Sequence, residues 1–266
     1  MRATRFALLC CFGSFLASLP VVAQQTSSAV QRDPQAITIL TQALNVAGGA
    51  QILAGVQDFT GTGNVTYYSA GQQVQATVTV KGRGTSQFRR DATLPGGVSS
   101  AIVNNGTASV KESDGTVQTL VNQHADNIVS LNFPFPELAA ALADPSVSIK
   151  HLGLVTKDGK QVHVVRLQET FPAKSDPSGM RSKLNQRDFF FDPSTFAVIG
   201  IQDKVPLKGH FDPRIPHEVV FSDYRRVNGI LFPFSVMESI YGQRTFAMQL
   251  EQVRFNTGLT DSDFQQ

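Results

Sequence analysis

The sequence predicts a mainly β (α+β) protein, a curved antiparallel sheet forming an incomplete barrel wrapped around an N-terminal helix and a central helical segment. Three observations carry this expectation. Two-residue alternation of apolar and polar positions runs over most of the chain from Asp58 onward, punctuated by Asn-Gly and Asp-Gly pairs, the dipeptides of tight hairpins. Helical periodicity appears in only two places. About ten or eleven strands on a chain of this length must curl or close, and two helical pieces inside such a sheet leave an apolar cavity.

The elements follow in order. Asp33 is an N-cap, Pro34 suits the first turn, and Gly48-Gly49 ends a helix whose apolar stripe is Ile37, Leu40, Ala43, Leu44 and Ala47. Ala50 to Val56 reads as a short continuation. A meander then runs through turns at Ala70-Gly71, Asn105-Gly106 and Asp114-Gly115, with Gly82 to Arg90 either extending the second strand or pairing as a third. Gln123 to Leu131 reads as a short helix, and NFPFPELAAALADP as a buried one from Pro136 to Asp144-Pro145. Alternation resumes with hairpins on Asp158-Gly159, Asp192-Pro193-Ser194 and Asn228-Gly229 and a last strand at Thr245 to Phe255; Pro206 to Pro216 is a proline-rich loop.

The first residues address the compartment. Met1 to Arg5 is short and basic, Phe6 to Val22 is apolar, and Val21-Val22-Ala23 offers small residues at a cleavage site, so residues 1–23 read as a secretory signal peptide cut after Ala23. The competing reading is an anchor that is retained. Residues 24–32 form a polar lead-in and 33–266 a single domain. Without Arg2 and Arg5, 21 of the 23 basic residues stand against 21 acidic ones, so the exported chain has no net charge with which to attract nucleic acid. Both cysteines, Cys10 and Cys11, lie in the signal, which leaves no disulfide, thiol nucleophile or cysteine-ligated metal.

Catalytic motifs are lacking. No G-x-S-x-G elbow, P-loop or HExxH occurs, and Gly61-Thr62-Gly63 precedes a strand rather than a helix. The five histidines show no metal-ligand spacing, so neither a metal nor a cofactor is expected. The excess is in phenylalanine, 19 residues against 4 Tyr and no Trp, which suits an apolar lining or a large core rather than a glycan-binding face. Phe189, Phe190 and Phe191 place rings on both faces of one strand, so both faces are covered or one meets a cavity.

Two strings then carry a family resemblance. Asp223 to Pro233, within FSDYRRVNGILFPF, and Asn256 to Phe264, NTGLTDSDF, together with the order of elements, resemble the LolA/LolB-like periplasmic lipoprotein carriers and related outer-membrane lipoprotein-sorting proteins. The resemblance implies a helix-capped half-barrel that holds an acyl chain or another apolar ligand. The expected function is therefore a periplasmic carrier, a monomer without catalysis, whose partners are a lipid or acylated lipoprotein and outer-membrane components. Candidate lining residues are Phe189, Phe191, Phe232, Phe234, Phe246, Met248 and Leu250, which share period-two faces in late strands, with Leu40 and Leu44 closing the other side. Arg225-Arg226 read as hairpin-end charges that keep a sheet edge soluble. Two alternatives remain open: an envelope assembly factor with a filled interior, and a hydrolase whose carboxylates and histidines converge only in space.

Overall fold

The computed structural model describes residues 30–120, 131–172, 174–204 and 215–266. The signal segment, most of the lead-in, the short helix expected at 123–131 except its last residue, and the proline loop from 206 to 214 lie outside the described residues.

Helix α1 (Pro34–Ala47) begins where the Asp33 carboxylate accepts the Gln35 N–H at 2.8 Å. It ends at Gly48, whose φ of 135° no side chain favours, with the Gly49 N–H on the Leu44 carbonyl. The buried stripe is Ala36, Ile39, Leu40, Ala43, Leu44 and Ala47. Ile37, expected on it, is only half-buried, because the helix turns its Ala36–Ile39 side to the sheet. A short α2 (Ala50–Ala54) follows.

The described residues contain thirteen strands rather than ten or eleven. They are β1 (Asp58–Ser69), β2 (Gln72–Arg83), β3 (Gln87–Leu94), β4 (Gly97–Asn104), β5 (Thr107–Lys111), β6 (Val117–Leu120), β7 (Val147–Lys157), β8 (Lys160–Glu169), β9 (Arg187–Phe191), β10 (Val198–Lys204), β11 (Pro216–Val227), β12 (Ile230–Ile240) and β13 (Gln243–Phe255). Helix α3 (Phe135–Ala143) lies between β6 and β7, and α4 (Met180–Leu184) between β8 and β9. Strand content is higher than expected because Gln87–Leu94 pairs as its own strand and Asp114-Gly115 turns into the four-residue β6. Lys183 and Leu184 close α4, and β9 begins after them at Arg187.

All thirteen strands form one antiparallel sheet in the order β6-β5-β4-β3-β2-β1-β13-β12-β11-β10-β9-β8-β7. Two meanders are therefore joined at a single seam, β1 against β13, with Phe59 opposite Phe255 and Tyr67 opposite Phe246. Gly61 and Gly63 serve that seam. The register slips between Thr62 and Gly63, and a Cβ on Gly63 would sit 2.2 Å from the Gln249 carbonyl oxygen. The Gly-x-Gly string is thus a close backbone approach with no phosphate-loop role.

The open sheet, edged by β6 and β7, holds α1 and α3 against one main hydrophobic cluster that includes Leu40, Leu44, Phe135, Leu138, Phe189, Phe191, Phe232 and Leu250. Phe190 faces the other way, into a small outer cluster with Val162 and Val164, so both faces of β9 are covered. Arg32 ties α3 down. Its guanidinium donates to the carbonyls of Ala141 (3.2 Å), Leu142 (2.8 Å), Asp144 (2.7 Å) and Val147 (3.1 Å), satisfying the end of the helix. No helix among the described residues is long and apolar enough to cross a membrane.

Both family-like strings prove to be architectural. Asp223 takes a left-handed φ of 50° within β11 without shifting the register against β12, the Tyr224 hydroxyl donates to the Val198 carbonyl at 2.5 Å, and Asn228-Gly229 makes the turn. Arg226 donates to the Gly229 carbonyl at 2.8 Å and to the Val46 carbonyl at 3.1 Å, which caps α1. The edge-solubility reading of Arg225-Arg226 is therefore corrected: β11 and β12 are interior strands, and Arg225 pairs with Asp223 over the Phe234 ring. In the closing string the buried Asp58 carboxylate accepts N–H bonds from Thr257, Gly258 and Leu259 at 2.6 to 3.0 Å. Phe264 is fully buried beneath Arg83.

Candidate functional site

A pocket of about 340 Å³ opens between α3, the β2–β3 and β4–β5 turns, and the β8–β9 region. Its apolar wall is Phe133, Val103, Ala140, Ala141, Val147 and Leu167; Glu137, Arg187, Gln168 and Asn185 add polar groups. Helix α3 supplies one side because its Ala140 and Ala141 leave space where larger residues would fill it. Glu137 and Arg187 form an ion pair at 2.8 Å, 15 % and 13 % exposed, which fastens α3 to the start of β9. A pair this dry is favourable only while both charges are present.

The nine residues expected to line a cavity occupy a neighbouring place. Leu40, Leu44, Phe189, Phe191, Phe232, Phe234, Phe246, Met248 and Leu250 are all buried in the main cluster, and none borders this pocket. Phe133 connects the two regions. It lines the pocket and stacks on Phe232, with ring centroids 5.0 Å apart and an interplanar angle of 22°. Phe232 in turn meets Phe59, Phe234 and Phe255 edge-on at 5.2 to 6.2 Å. Sequence reasoning missed Phe133, Glu137 and Arg187. The available signals were the FPFP run at the start of α3 and the arginine that opens the RDFFF strand.

Histidines and carboxylates do converge, but inside the sheet. His217 on β11 lies 2.5 Å from Asp203 on β10 through Nδ1 and 3.1 Å from Glu238 on β12 through Nε2. Thr245 donates to Glu238 from β13. Burial alone would push the His217 pKa down; the two carboxylates outweigh it and raise the pKa to about 10. Burial opposes the Glu238 charge, yet its bond to His217 and the other contacts hold its carboxyl below the usual range. With both ring nitrogens donating and the ring 4 % exposed, this imidazolium has no lone pair with which to take a proton from a substrate. His151 on β7 and His163 on β8 approach each other to 3.2 Å between ring nitrogens. Among the described residues no His, Cys, Asp and Glu set forms a metal-binding group of three or more.

An open, strongly curled antiparallel sheet with helices in its concavity and a pocket beneath one of them defines the class: an incomplete β-barrel with an inner, helix-walled space. The fold is LolA-like. It is similar to crystal structures of an outer membrane lipoprotein-sorting protein domain from Vibrio parahaemolyticus (TM-score 0.56, 12 % identity, covering 86 % of this chain and 95 % of that one) and of a DUF1329 family protein from Desulfovibrio piger (TM-score 0.56, 11 % identity, 88 % and 98 % covered). A LolA superfamily protein from Nitrosomonas europaea matches at TM-score 0.54 with 10 % identity, over 87 % of this chain and 97 % of that one. No protein-family model matches the sequence, and no curated protein matches it.

Proposed function

We propose that this chain is an exported carrier of the periplasm that holds a lipid or lipoprotein acyl chain between α3 and the curved sheet and performs no chemistry on it. The observation that carries the reading is the Phe133 position: one ring forms the pocket wall and, on its other side, stacks on the aromatic cluster of Phe232. Displacing that ring extends the pocket toward Phe232 and Phe234. The pocket volume falls within the ~300–1,000 Å³ typical of ligand sites. Sequestering roughly eight methylenes contributes about 6 kcal/mol before ordering losses, enough for reversible carriage. The His217 cluster supports a non-catalytic reading, since both ring nitrogens are committed to carboxylates in the sheet.

The test is native mass spectrometry of the protein purified from its own envelope, with displacement by a hydrophobic dye. Bound lipid that the dye displaces, and that is lost when Ala140→Trp fills the pocket, is the expected result. A lipid-free protein that takes up no dye overturns the proposal.

A further inference from the structure

Five hairpins of this chain turn through the same left-handed pair of residues: Ala70-Gly71, Asn105-Gly106, Asp158-Gly159, Asn228-Gly229 and Tyr241-Gly242, with φ of 47° to 55° at the first position and 73° to 83° at the glycine. Asn and Asp tolerate the first position, and alanine is small; a bulky aromatic is strained there. Packing does not compensate for Tyr241, a residue 73 % exposed, more than any other exposed large apolar residue described. The backbone N–H of Tyr241 donates to the Pro216 carbonyl at 2.8 Å, a bond that asparagine would keep. Folding and solubility would both be served better by another residue, so the tyrosine answers to something outside the fold.

Its surroundings suggest what that is. Because β1 pairs with β13, the β12–β13 tip lies beside the β1–β2 tip, where Arg244 donates to the Tyr68 hydroxyl at 3.4 Å with its guanidinium 5.2 Å from the ring centroid. Val74 on the same tip is 40 % exposed. The stretches TYYSAGQQVQA (Thr66 to Ala76) and SIYGQRT (Ser239 to Thr245) hold one charge between them, Arg244, and no carboxylate. The tips present tyrosines, a valine and uncharged polar groups that lose little when water is removed, together with one cation. Tyrosine, with an apolar ring and a polar hydroxyl, settles at the water–lipid boundary, and arginine is drawn to anionic headgroups.

We propose that the paired tips of the β1–β2 and β12–β13 hairpins are a membrane-docking surface, with Tyr241 seated at the lipid boundary and Arg244 toward anionic headgroups. Two narrow turns are small beside the ~800 Å² per partner of a stable protein interface. Contact through one aromatic tip and one cation is weak and reversible. The proposal is independent of what occupies the pocket.

The experiment uses the chain from Gln24 onward, which lacks the apolar segment Phe6 to Val22 that would itself bind lipid, in sedimentation with phosphatidylglycerol-containing or pure phosphatidylcholine vesicles. The wild type is expected to partition onto the anionic vesicles. Tyr241→Asn should lower that partitioning about fivefold, the order set by one interfacial aromatic ring, with a thermal midpoint at or above wild type. Tyr241→Trp should retain binding, and Arg244→Gln should remove the preference for anionic vesicles. A wild type that stays in the supernatant overturns the proposal, as does undiminished binding by Tyr241→Asn. A lower midpoint in Tyr241→Asn would show the tyrosine to be structural and overturns it equally.

Discussion

Phe133 stacks on Phe232 at 5.0 Å, so a single ring divides the pocket beneath α3 from the aromatic interior of the half-barrel. Because the ring is 4 % exposed, it supports the core and bounds the pocket at once. Phe133→Ala is expected to destabilise the fold by about 3–5 kcal/mol through the cavity it leaves, while increasing the capacity for a hydrophobic dye. Urea denaturation and dye titration on the same sample check the two effects; lower dye capacity would sink the idea that this ring is a partition.

The Glu137–Arg187 pair fastens α3 to β9 in a largely dry setting. Removing one partner strands the other, so Arg187→Met should lose about 3 kcal/mol, and Glu137→Gln in the same chain should recover most of it. A double-mutant cycle measures this. Additive losses would mean that the two charges act separately.

His217 predicts a pH profile. Its folded pKa of about 10 lies above the ordinary 6.5, so its contribution is fully present below about 6.5 and is lost progressively as pH rises to about 10. Glu238 has the opposite sign: its carboxyl is held below 4.5, so its contribution is present above that value and is lost on acidification. Wild-type stability to urea should therefore fall between pH 6.5 and 10, and His217→Gln should flatten that slope while lowering stability at pH 6. A variant with the wild-type slope contradicts the assignment.

Asp58 anchors the C-terminal string through three backbone N–H groups and the Thr257 hydroxyl. Burial opposes its charge, but these bonds hold its carboxyl below 3.8, so the stabilisation is present above that pH and is lost as acid protonates the group. Asp58→Asn places an N–H₂ where donors already point and should cost about 2 kcal/mol. Hydrogen exchange should report it first at Thr257 to Leu259.

Much of the fold was legible because its signals are local. Asn105-Gly106, Asp158-Gly159 and Asn228-Gly229 each mark a turn by backbone preference alone, and all three turn where the sequence places them. Tyr241-Gly242 was invisible for the complementary reason: a tyrosine at that position contradicts the preference by which turns are recognised. The convergence of Asp203, His217 and Glu238 was hidden as well, since it depends on three strands meeting side by side.

By itself the sequence determined a β-rich chain with two buried helices, its hairpins and the apolar residues that would be covered, because alternation, caps and turn chemistry act over a few residues. Only the tertiary structure decided that β1 pairs with β13, joining two meanders into one sheet across nearly the whole domain. It likewise decided that the pocket lies beside Phe133 and the Glu137–Arg187 pair, while Phe189, Phe246 and their neighbours fill the core. The physical reason is that burial follows from hydrophobicity alone. Which buried surface borders an open space depends on how strongly the sheet curls and where α3 is held, and both are set by contacts between residues far apart in the chain.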